Sequence, residues 1–399
     1  MTIVKRLIRT GAGPSGGRLA LDAIEQNDSL YSSWDDDPSV DDKIDEKYRR
    51  FTLRKCAAII ICVVATIVAA GLAITYGPYD ISFLEVYQII WNHILHGAPE
   101  DPLEYMKDHV VCNIRMPRVV VAIIAGFGLA VAGAVMQSTL KNPMADSYTT
   151  GVSSGAAFGA TLSIVAGFTL FSSQVGMLAN AFLFSLAPTA IIILVSKLRN
   201  VSATSMILAG LAVMYIFNAC TTALKLWAEP DALASLYRWQ VGSLNNMIWG
   251  NVPVMLAVTA VGSAVVLILS NKINILSSGD ESAKSLGVNA QNLRIVCLAI
   301  VSLVTASIVS FTGTIGFVGL VAPHIVRLFI GSDNRFLIPA SGAFGALLLL
   351  VSDFIGRTII APAVLEVGVI TAFIGGPMFL YLIVRQKKEA WRWRSSSNP

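Results

Sequence analysis

Long apolar stretches alternate with short polar segments between Cys56 and Val384. A helix needs about 20 apolar residues to cross a bilayer, and lipid accepts only segments that satisfy their own backbone polar groups. The alternation typical of barrel strands is absent from these stretches. We therefore predict an all-α polytopic membrane helical bundle of about ten transmembrane helices. The predicted spans are 57–76, 118–140, 151–171, 175–196, 204–225, 250–270, 293–312, 314–331, 336–356 and 365–384.

The distribution of lysine and arginine predicts the orientation of the bundle. With both termini inside, 23 of the 29 Lys and Arg residues lie on the cytoplasmic side, where basic residues concentrate in membrane proteins. We therefore expect cytoplasmic N- and C-termini, which requires an even number of spans. The informative connections are then 77–117 and 226–249 on the outside and 271–292 on the inside.

Composition changes this picture mainly at the N-terminus. The chain is 55% hydrophobic and 14% charged, which excludes one soluble globule with its usual charged content of about 25%. Residues 1–55, by contrast, carry ten basic and ten acidic residues. We predict a disordered cytoplasmic tail at 1–55, a membrane domain at 56–385 and a cytoplasmic C-terminal tail at 386–399. The N-terminal tail is either simply solvated or binds a regulatory partner.

Candidate chemistry is sparse along the chain. Five cysteines are scattered without a C-x-x-C pair, and four histidines form no metal-ligand pattern. His93 and His96 are spaced i, i+3, yet two ligands do not make a metal site. The glycine-rich segment 11–18 lacks the Gly-Lys-Ser/Thr sequence of a phosphate-binding loop. We expect no metal site, no cofactor bound by this chain, no catalytic residue and no enzyme activity.

One carboxylate lies inside a predicted span. Asp353 falls in the ninth span, where a charge at the helix centre costs roughly 2.5–3.5 kcal/mol. Arg357 follows one helical turn later, at i+4, and can pair with it. We predict an intramembrane ion pair between Asp353 and Arg357. A role in substrate passage or gating is the alternative.

The inner connection at 271–292 has the signals of a short helix. Ser278 and Glu281 fit a capping box, and the helix would run to about Leu286. Gly287 suits a left-handed helix end, and Asn289 can cap the next span. We expect a short cytoplasmic helix that is either a connector or a docking element for a soluble partner.

A series of motifs runs in order along the membrane domain: RMPR (115–118), GAVMQ (133–137), NPMAD (142–146), GVSSGA (151–156), GDESAKSLG (279–287), GFVGLVAPH (316–324) with Arg327, GVITA (368–372) and GP (376–377). Together they resemble the FecCD/BtuC-like permeases of type II ABC importers, over about residues 57–385 and with that family's spacing. Two places depart from the family pattern. Ser147 stands where proline is usual, and VLEV at 364–367 replaces the common ELPV.

The resemblance implies a permease subunit in the plasma membrane of a prokaryote. Two permease chains, expected to be identical copies, would enclose a translocation path and work by alternating access. Two separate ATP-binding cassette ATPase subunits would bind the cytoplasmic face and use ATP and Mg²⁺. An extracytoplasmic substrate-binding protein would deliver a ferric siderophore, haem or cobalamin, and no nucleic-acid partner is expected.

The resemblance also assigns roles to residues. Arginines that match the family's docking positions for the binding protein are Arg115, Arg118 and Arg357, all on the predicted outer side. The coupling helix at about 279–287 would contact the ATPase through Gly279, Asp280, Glu281, Ala283, Leu286 and Gly287. We place the translocation path along the fifth span, at Ile216, Asn218 and Thr222.

Three alternatives stay open. The chain could be an oxyanion-importing member of the same family. A secondary transporter would hold ionisable residues at mid-membrane for ion coupling, and Asp353 beside Arg357 gives that class thin support. An integral-membrane enzyme would need clustered histidines or carboxylates near one interface. The sequence leaves open both the substrate and the choice between a homodimer and a heterodimer.

Overall fold

The computed structural model describes residues 38–395, apart from residues 78, 80, 172, 200, 201 and 362. The chain divides into two units, Met1–Cys56 and Ala57–Pro399. Within the described residues the regular structure is helical. The α-helices are α1 (Pro38–Thr75), α2 (Phe83–His96), α3 (Pro102–Asp108), α4 (Met116–Thr139), α5 (Val152–Ile164), α6 (Ser173–Arg199), α7 (Ala203–Lys225), α8 (Pro230–Val241), α9 (Val252–Ile268), α10 (Ser270–Ser277), α11 (Asp280–Ser285), α12 (Ala290–Thr312), α13 (Val318–Ile330), α14 (Asn334–Thr358) and α15 (Val367–Ser395).

Helix α4 lies at the centre of the membrane unit. It packs against α9, α12, α13 and α14, and most of its side chains are buried. Its most extensive contact is with α14, where a Cβ atom on Gly126 would overlap the carbonyl oxygen of Gly345. A Cβ atom on Gly133 would likewise overlap the carbonyl oxygen of Gly319 in α13. Small residues therefore let these backbones approach closely.

Seven described segments are long and apolar enough to cross a membrane: Thr52–Thr75, Pro102–Thr139, Val175–Lys197, Ala203–Lys225, Trp249–Ile268, Ala290–Thr312 and Asn334–Thr358. The other three predicted spans coincide with shorter apolar helices, at Val152–Ile164, Val318–Ile330 and Val367–Tyr381. The fold class is confirmed, whereas the count of ten crossings and the side of each terminus stay predictions. The shorter helices begin or end at turns that a continuous helix cannot contain. Gly151 and Phe317, for example, adopt left-handed conformations just before α5 and α13.

The outer connection predicted at 77–117 is itself largely helical. A capping box joins Ser82 and Glu85 at the start of α2, and the carboxylate of Asp101 accepts hydrogen bonds from the first backbone N–H groups of α3. Residues His109–Arg115 form a π-helix that joins α3 to α4 without a break. We call the end of the bundle that carries these elements the outer end. The end that carries α10 and α11 is the inner end.

Part of the tail predicted to be disordered is helical. Residues 38–55 form the first turns of α1, and the rest of the predicted tail, 1–37, lies outside the described residues. An exposed i, i+4 pair between Glu46 and Arg50, with an O–N distance of 2.6 Å, gives this helix a small local contribution. The side chains of the predicted C-terminal tail also lie outside the described residues. The domain boundaries stay a prediction.

Candidate functional site: an outer charge network and an inner helix

Arg118 and Asp353 form the centre of a charge network at the outer end. Arg118 lies in the first turn of α4, and Asp353 lies near the end of α14. The guanidinium donates through Nε and Nη2 to Asp353 Oδ1, with distances of 3.0 and 2.8 Å. The Asp353 side chain is 1% exposed, so this pair is well shielded from solvent. A two-point arginine–carboxylate contact also fixes the relative orientation of the two helices.

Arg357 brings a second cation to the same carboxylate. Its Nε lies 3.1 Å from Asp353 Oδ2, and its Nη1 donates to the carbonyl oxygen of Ala73 at 3.1 Å. The two residues paired in the sequence prediction are therefore adjacent. The prediction missed Arg118, which is 235 residues away along the chain and has no local signal linking it to Asp353.

The network continues into two further segments through an amide side chain. Arg118 Nη1 donates to Asn245 Oδ1 at 2.6 Å. Asn245 Nδ2 in turn donates to both carboxylate oxygens of Glu366 at 3.1 Å. Asn245 follows α8, and Glu366 directly precedes α15. Glu366 belongs to the stretch that departs from the family pattern, and here it supplies an acidic acceptor to the outer network.

Arg115 has a separate anchoring role next to this network. It is 4% exposed, and its guanidinium donates to the carbonyl oxygens of Ile74, Thr75 and Tyr79 at 2.7–2.9 Å. These carbonyls include the last ones of α1, which have no partner inside their own helix. Arg115 thus ties the end of α1 to the start of α4.

The three arginines predicted to dock a binding protein are thus enclosed by the chain itself. The side chains of Arg118 and Arg357 are 12% and 8% exposed, and Arg115 is buried. Docking of a partner's carboxylates would require these guanidinium groups to be accessible from the outside. Internal carbonyl and carboxylate acceptors hold these guanidinium groups instead. Their docking role stays a prediction that the geometry of this chain does not support.

An outer cavity of about 590 Å³ opens beside Arg118. Its wall combines this cation with aromatic and amide groups of the π-helix and of the 244–250 segment. The lining residues include His109, Asn113, Asn246, Ile248 and Trp249.

The inner helix α11 is present but begins differently from the prediction. Ser278 ends α10, and its hydroxyl donates to the carbonyl oxygen of Asn274, so the predicted capping box is wrong. Gly279, with a φ of +138°, is the N-cap residue. Gly287 has the expected left-handed conformation, and the Asn289 side chain caps α12 by accepting from Asn292 N at 2.9 Å. The sequence has only weak signals for α10, so Ser278 was predicted to start α11 although it ends α10.

Asp280 fastens α11 to the body of the bundle. Arg294 of α12 donates to both carboxylate oxygens, at 2.9 and 2.5 Å, and Lys141 Nζ donates to Oδ1 at 2.8 Å. The Arg294 hydrogen bonds, followed by that of Lys141, hold the pKa of this carboxyl well below its usual range. Arg294 is nearly buried and also donates to the carbonyl oxygen of Thr139 at the end of α4. A short helix is thereby tied to two long ones.

The remaining residues predicted for the coupling helix divide between two sides. Ala283 is fully buried against the bundle, whereas Glu281 and Leu286 are exposed, Leu286 by 67%. A second cavity of about 590 Å³ runs beside the helix, lined by Asp280, Lys284, Gly287 and Asn289 among others. Helix α11 is therefore held to the bundle by an ion pair at its start and presents the exposed apolar side chain of Leu286 at its end.

The residues predicted for the translocation path are all exposed on α7, but Ile216 and Asn218, two positions apart, project to nearly opposite sides of the helix. Ile216 is 61% exposed, and Asn218 and Thr222 are exposed one helical turn apart. Thr222 Oγ1 donates to the backbone carbonyl of Asn218 at 2.9 Å. The Asn218 amide is exposed on a largely apolar helix, where an unpartnered polar side chain is costly in contact with lipid.

Two further sites with buried polar side chains, Asp146 and the cluster of His93, Asp108 and Cys112, were not predicted from the sequence. Asp146, at the inner end after α4, is buried, and burial raises the pKa of its carboxyl to about 6. At the outer end His93 meets Asp108, with Nδ1 2.8 Å from Oδ1, and Cys112 lies beside them. His96, which the sequence analysis considered together with His93, is exposed instead.

Comparisons with known proteins agree with this architecture. A model of the FecCD transport family matches residues 62–385. The chain is 35% identical to the hemin transport system permease protein HmuU of Yersinia pestis, over 82% of this chain and 95% of HmuU. It is 41% identical to the cobalamin import system permease protein BtuC of Halobacterium salinarum, over 69% of this chain and 73% of BtuC. A solved inward-facing structure of a metal-chelate type ABC transporter is 28% identical, with a TM-score of 0.71 over 82% of this chain and 98% of that one.

Proposed function

This chain belongs to the FecCD transport family, and we propose that it moves a ferric siderophore, haem or cobalamin across the plasma membrane by alternating access between two copies. It is an integral membrane permease subunit of a metal-chelate type ABC importer. Such a permease works with ATPase subunits and an extracytoplasmic binding protein. The chain is not an enzyme, because ATP hydrolysis belongs to the separate ATPase subunits, which would use Mg²⁺.

The observation that carries the proposal is the way α11 is fastened. Asp280 joins α11 to Arg294 and Lys141, and Arg294 also holds the end of α4 through Thr139. A partner that displaces α11 would therefore also displace the start of α12 and the end of α4. Helix α4 is the central helix of the bundle, so movement at the inner surface reaches the outer charge network.

Two polar side chains on one face of α7 support a path between two copies. Asn218 and Thr222 offer polar groups at a depth where lipid offers none, so water or a second protein chain is the better neighbour. A face with two short polar side chains, Asn218 and Thr222, suits a bulky chelate that must pass without sticking, whereas Ile216 lies on another side of the same helix. Identical copies are the simplest arrangement, because one chain supplies one such face.

The substrate class rests on the relatives. HmuU is named for hemin, BtuC for cobalamin, and a Bacillus subtilis relative, FhuB, for iron(3+)-hydroxamate. All three substrates are large metal chelates. An oxyanion is the alternative cargo, and an oxyanion would need accessible cationic groups along the path, whereas the outer arginines are already engaged by Asp353 and by backbone carbonyls.

The experiment is uptake into vesicles that hold this chain together with its ATPase and its binding protein. Labelled ferric siderophore, haem and cobalamin are compared with and without ATP. ATP-dependent uptake of one chelate, lost when the ATPase is omitted, is the expected result. Uptake without ATP would refute the importer assignment. ATP hydrolysis with none of the chelates moved, but with a labelled oxyanion moved, would refute the proposed substrate class alone.

A further inference from the structure

We propose that His93, Asp108 and Cys112 form a binding site for a zinc-type divalent cation at the outer end of the molecule. The three residues come from three consecutive helices: α2, α3 and the π-helix. One potential ligand atom from each lies within 4.8 Å of the other two. This site is independent of the transported chelate, so the proposal does not rest on the proposed function.

The distances suit a tetrahedral ion. Zinc binds histidine nitrogen and carboxylate oxygen at about 2.0–2.2 Å and thiolate sulfur at about 2.3 Å. In a tetrahedral arrangement these bonds set the ligand atoms about 3.3–3.8 Å apart. His93 Nδ1 now lies 2.8 Å from Asp108 Oδ1, so the pair needs to open only slightly. Cys112 closes the third corner, and the fourth is left for water.

Ligand type selects the ion. One imidazole, one carboxylate and one thiolate are the ligands of zinc and similar transition metals, whereas Mg²⁺ and Ca²⁺ prefer all-oxygen sites. The carboxylate and thiolate together carry two negative charges, which neutralise a dication in a site shielded from water. Asp108 is 2% and Cys112 4% exposed, so an uncompensated charge there would be costly.

The surroundings hold the ligands and leave an entrance. Val86 and Val111 pack around Cys112 in a small apolar cluster, and Trp249 Nε1 donates to the Cys112 carbonyl at 2.8 Å. The His93 side chain is 35% exposed and gives the ion a route from the outside. A bound ion would fasten α2 to the π-helix in an outer segment whose own apolar cluster is small. We therefore infer a stabilising role for it.

The test uses the purified full-length chain in detergent, stripped with a chelator and titrated with Zn²⁺ and then with Co²⁺. We expect one saturable Zn²⁺ per chain. Co²⁺ should give a sulfur-to-cobalt charge-transfer absorption, which reports a thiolate ligand directly. Cys112→Ser should abolish that absorption, and Cys112→Ser, His93→Gln and Asp108→Asn should each weaken Zn²⁺ binding at least tenfold, on the scale of known losses at metal sites.

The matched controls are His96→Gln, in the same last turn of α2, and Cys220→Ser, an exposed cysteine. Both should leave the titration unchanged. The proposal is overturned if the wild-type chain binds no stoichiometric Zn²⁺, or if the charge-transfer absorption survives in Cys112→Ser. In that case the three side chains form only an internal hydrogen-bond cluster around Asp108. If Cys112→Ser misfolds, His93→Gln tests the site from its exposed side.

Discussion

The ionised carboxylate of Asp280 stabilises the folded state at the inner end of the bundle. Its side chain is 50% exposed, yet it accepts hydrogen bonds from both Arg294 and Lys141. Because these cations favour the ionised form, its pKa in the folded protein lies below the ordinary value of 3.8. A folded pKa below the unfolded one stabilises the folded state above about pH 4. That contribution is lost as the pH falls through the folded value.

We expect Asp280→Asn to loosen α11 at pH 7. Amide hydrogen exchange of residues 280–285 should become about fivefold faster, because a partly exposed ion pair contributes up to about 1 kcal/mol. The difference from wild type should begin to shrink only below about pH 4, the ordinary pKa, and should vanish as the pH falls through the lower pKa of the folded carboxyl. Glu281→Gln, on the exposed side of the same helix, is the control. Equal exchange of variant and wild type at pH 7 would rule out this fastening.

Asp146 responds to pH in the opposite sense. Burial raises the pKa of its carboxyl to about 6, while Thr149 N donates to Oδ1 at 2.9 Å and offsets part of that penalty. A folded pKa above the unfolded one stabilises the fold most below about pH 4, and the contribution is lost as the pH rises through 6. As the pH rises, the free energy of unfolding therefore increases through Asp280 and decreases through Asp146.

At the scale of elements, the positions of the long helices could be predicted because their signal is local. About 20 consecutive apolar residues leave few alternatives in a membrane. Helices α2, α3 and α8 could not be recognised by that rule, since they are short and partly polar. The contact between Arg118 and Asp353 could not be predicted from the sequence for a different reason. It depends on how α4 and α14 cross, which no pattern within either helix specifies.

The crossing of α4 and α14 gives a prediction about packing. Gly126→Ala places a methyl group against the carbonyl group of Gly345 and the Cα atom of Ala346, and these backbone atoms cannot rotate away. We expect a loss of about 1–3 kcal/mol, the usual cost of overpacking, or more if the helices must separate. Thermal unfolding of the purified chain in detergent measures it.

The control for this substitution is Gly316→Ala. Gly316 lies in the connection between α12 and α13, and a Cβ atom there would meet no neighbouring atom within 4 Å. Its φ angle is not in the left-handed region, so Gly316→Ala should be neutral or slightly stabilising. A Gly126→Ala variant as stable as Gly316→Ala would show that the two backbones do not approach as closely as described.

At the scale of the whole membrane unit, one network joins segments that are far apart in sequence. Asp353 binds Arg118 and Arg357, and Arg118 reaches Glu366 through Asn245. The ends of α4 and α14 and the segments before α9 and α15 are therefore held together at the outer end. Any motion that opens this end must break or rearrange these bonds.

We expect Asp353→Asn to destabilise the chain by about 3 kcal/mol or more, because it leaves buried guanidinium groups without their counter-charge. Thermal unfolding in detergent again gives the measurement. Glu46→Gln removes an exposed pair and should cost less than about 1 kcal/mol.

In a double-mutant cycle, Arg118→Ala and Asp353→Ala should show a coupling energy of about 0.5–3 kcal/mol. Purely additive losses would mean that the two residues act separately.

The π-helix at His109–Arg115 has a consequence for how the gene can change. A wider turn accommodates an extra residue in an otherwise α-helical segment, and each residue of an α-helix turns the chain by about 100°. Deleting one residue there would regularise the helix but rotate Asp108 away from His93, or Arg115 away from the end of α1. Length changes are therefore expected to accumulate in related genes at 97–101, between α2 and α3, and to be selected against at 109–115.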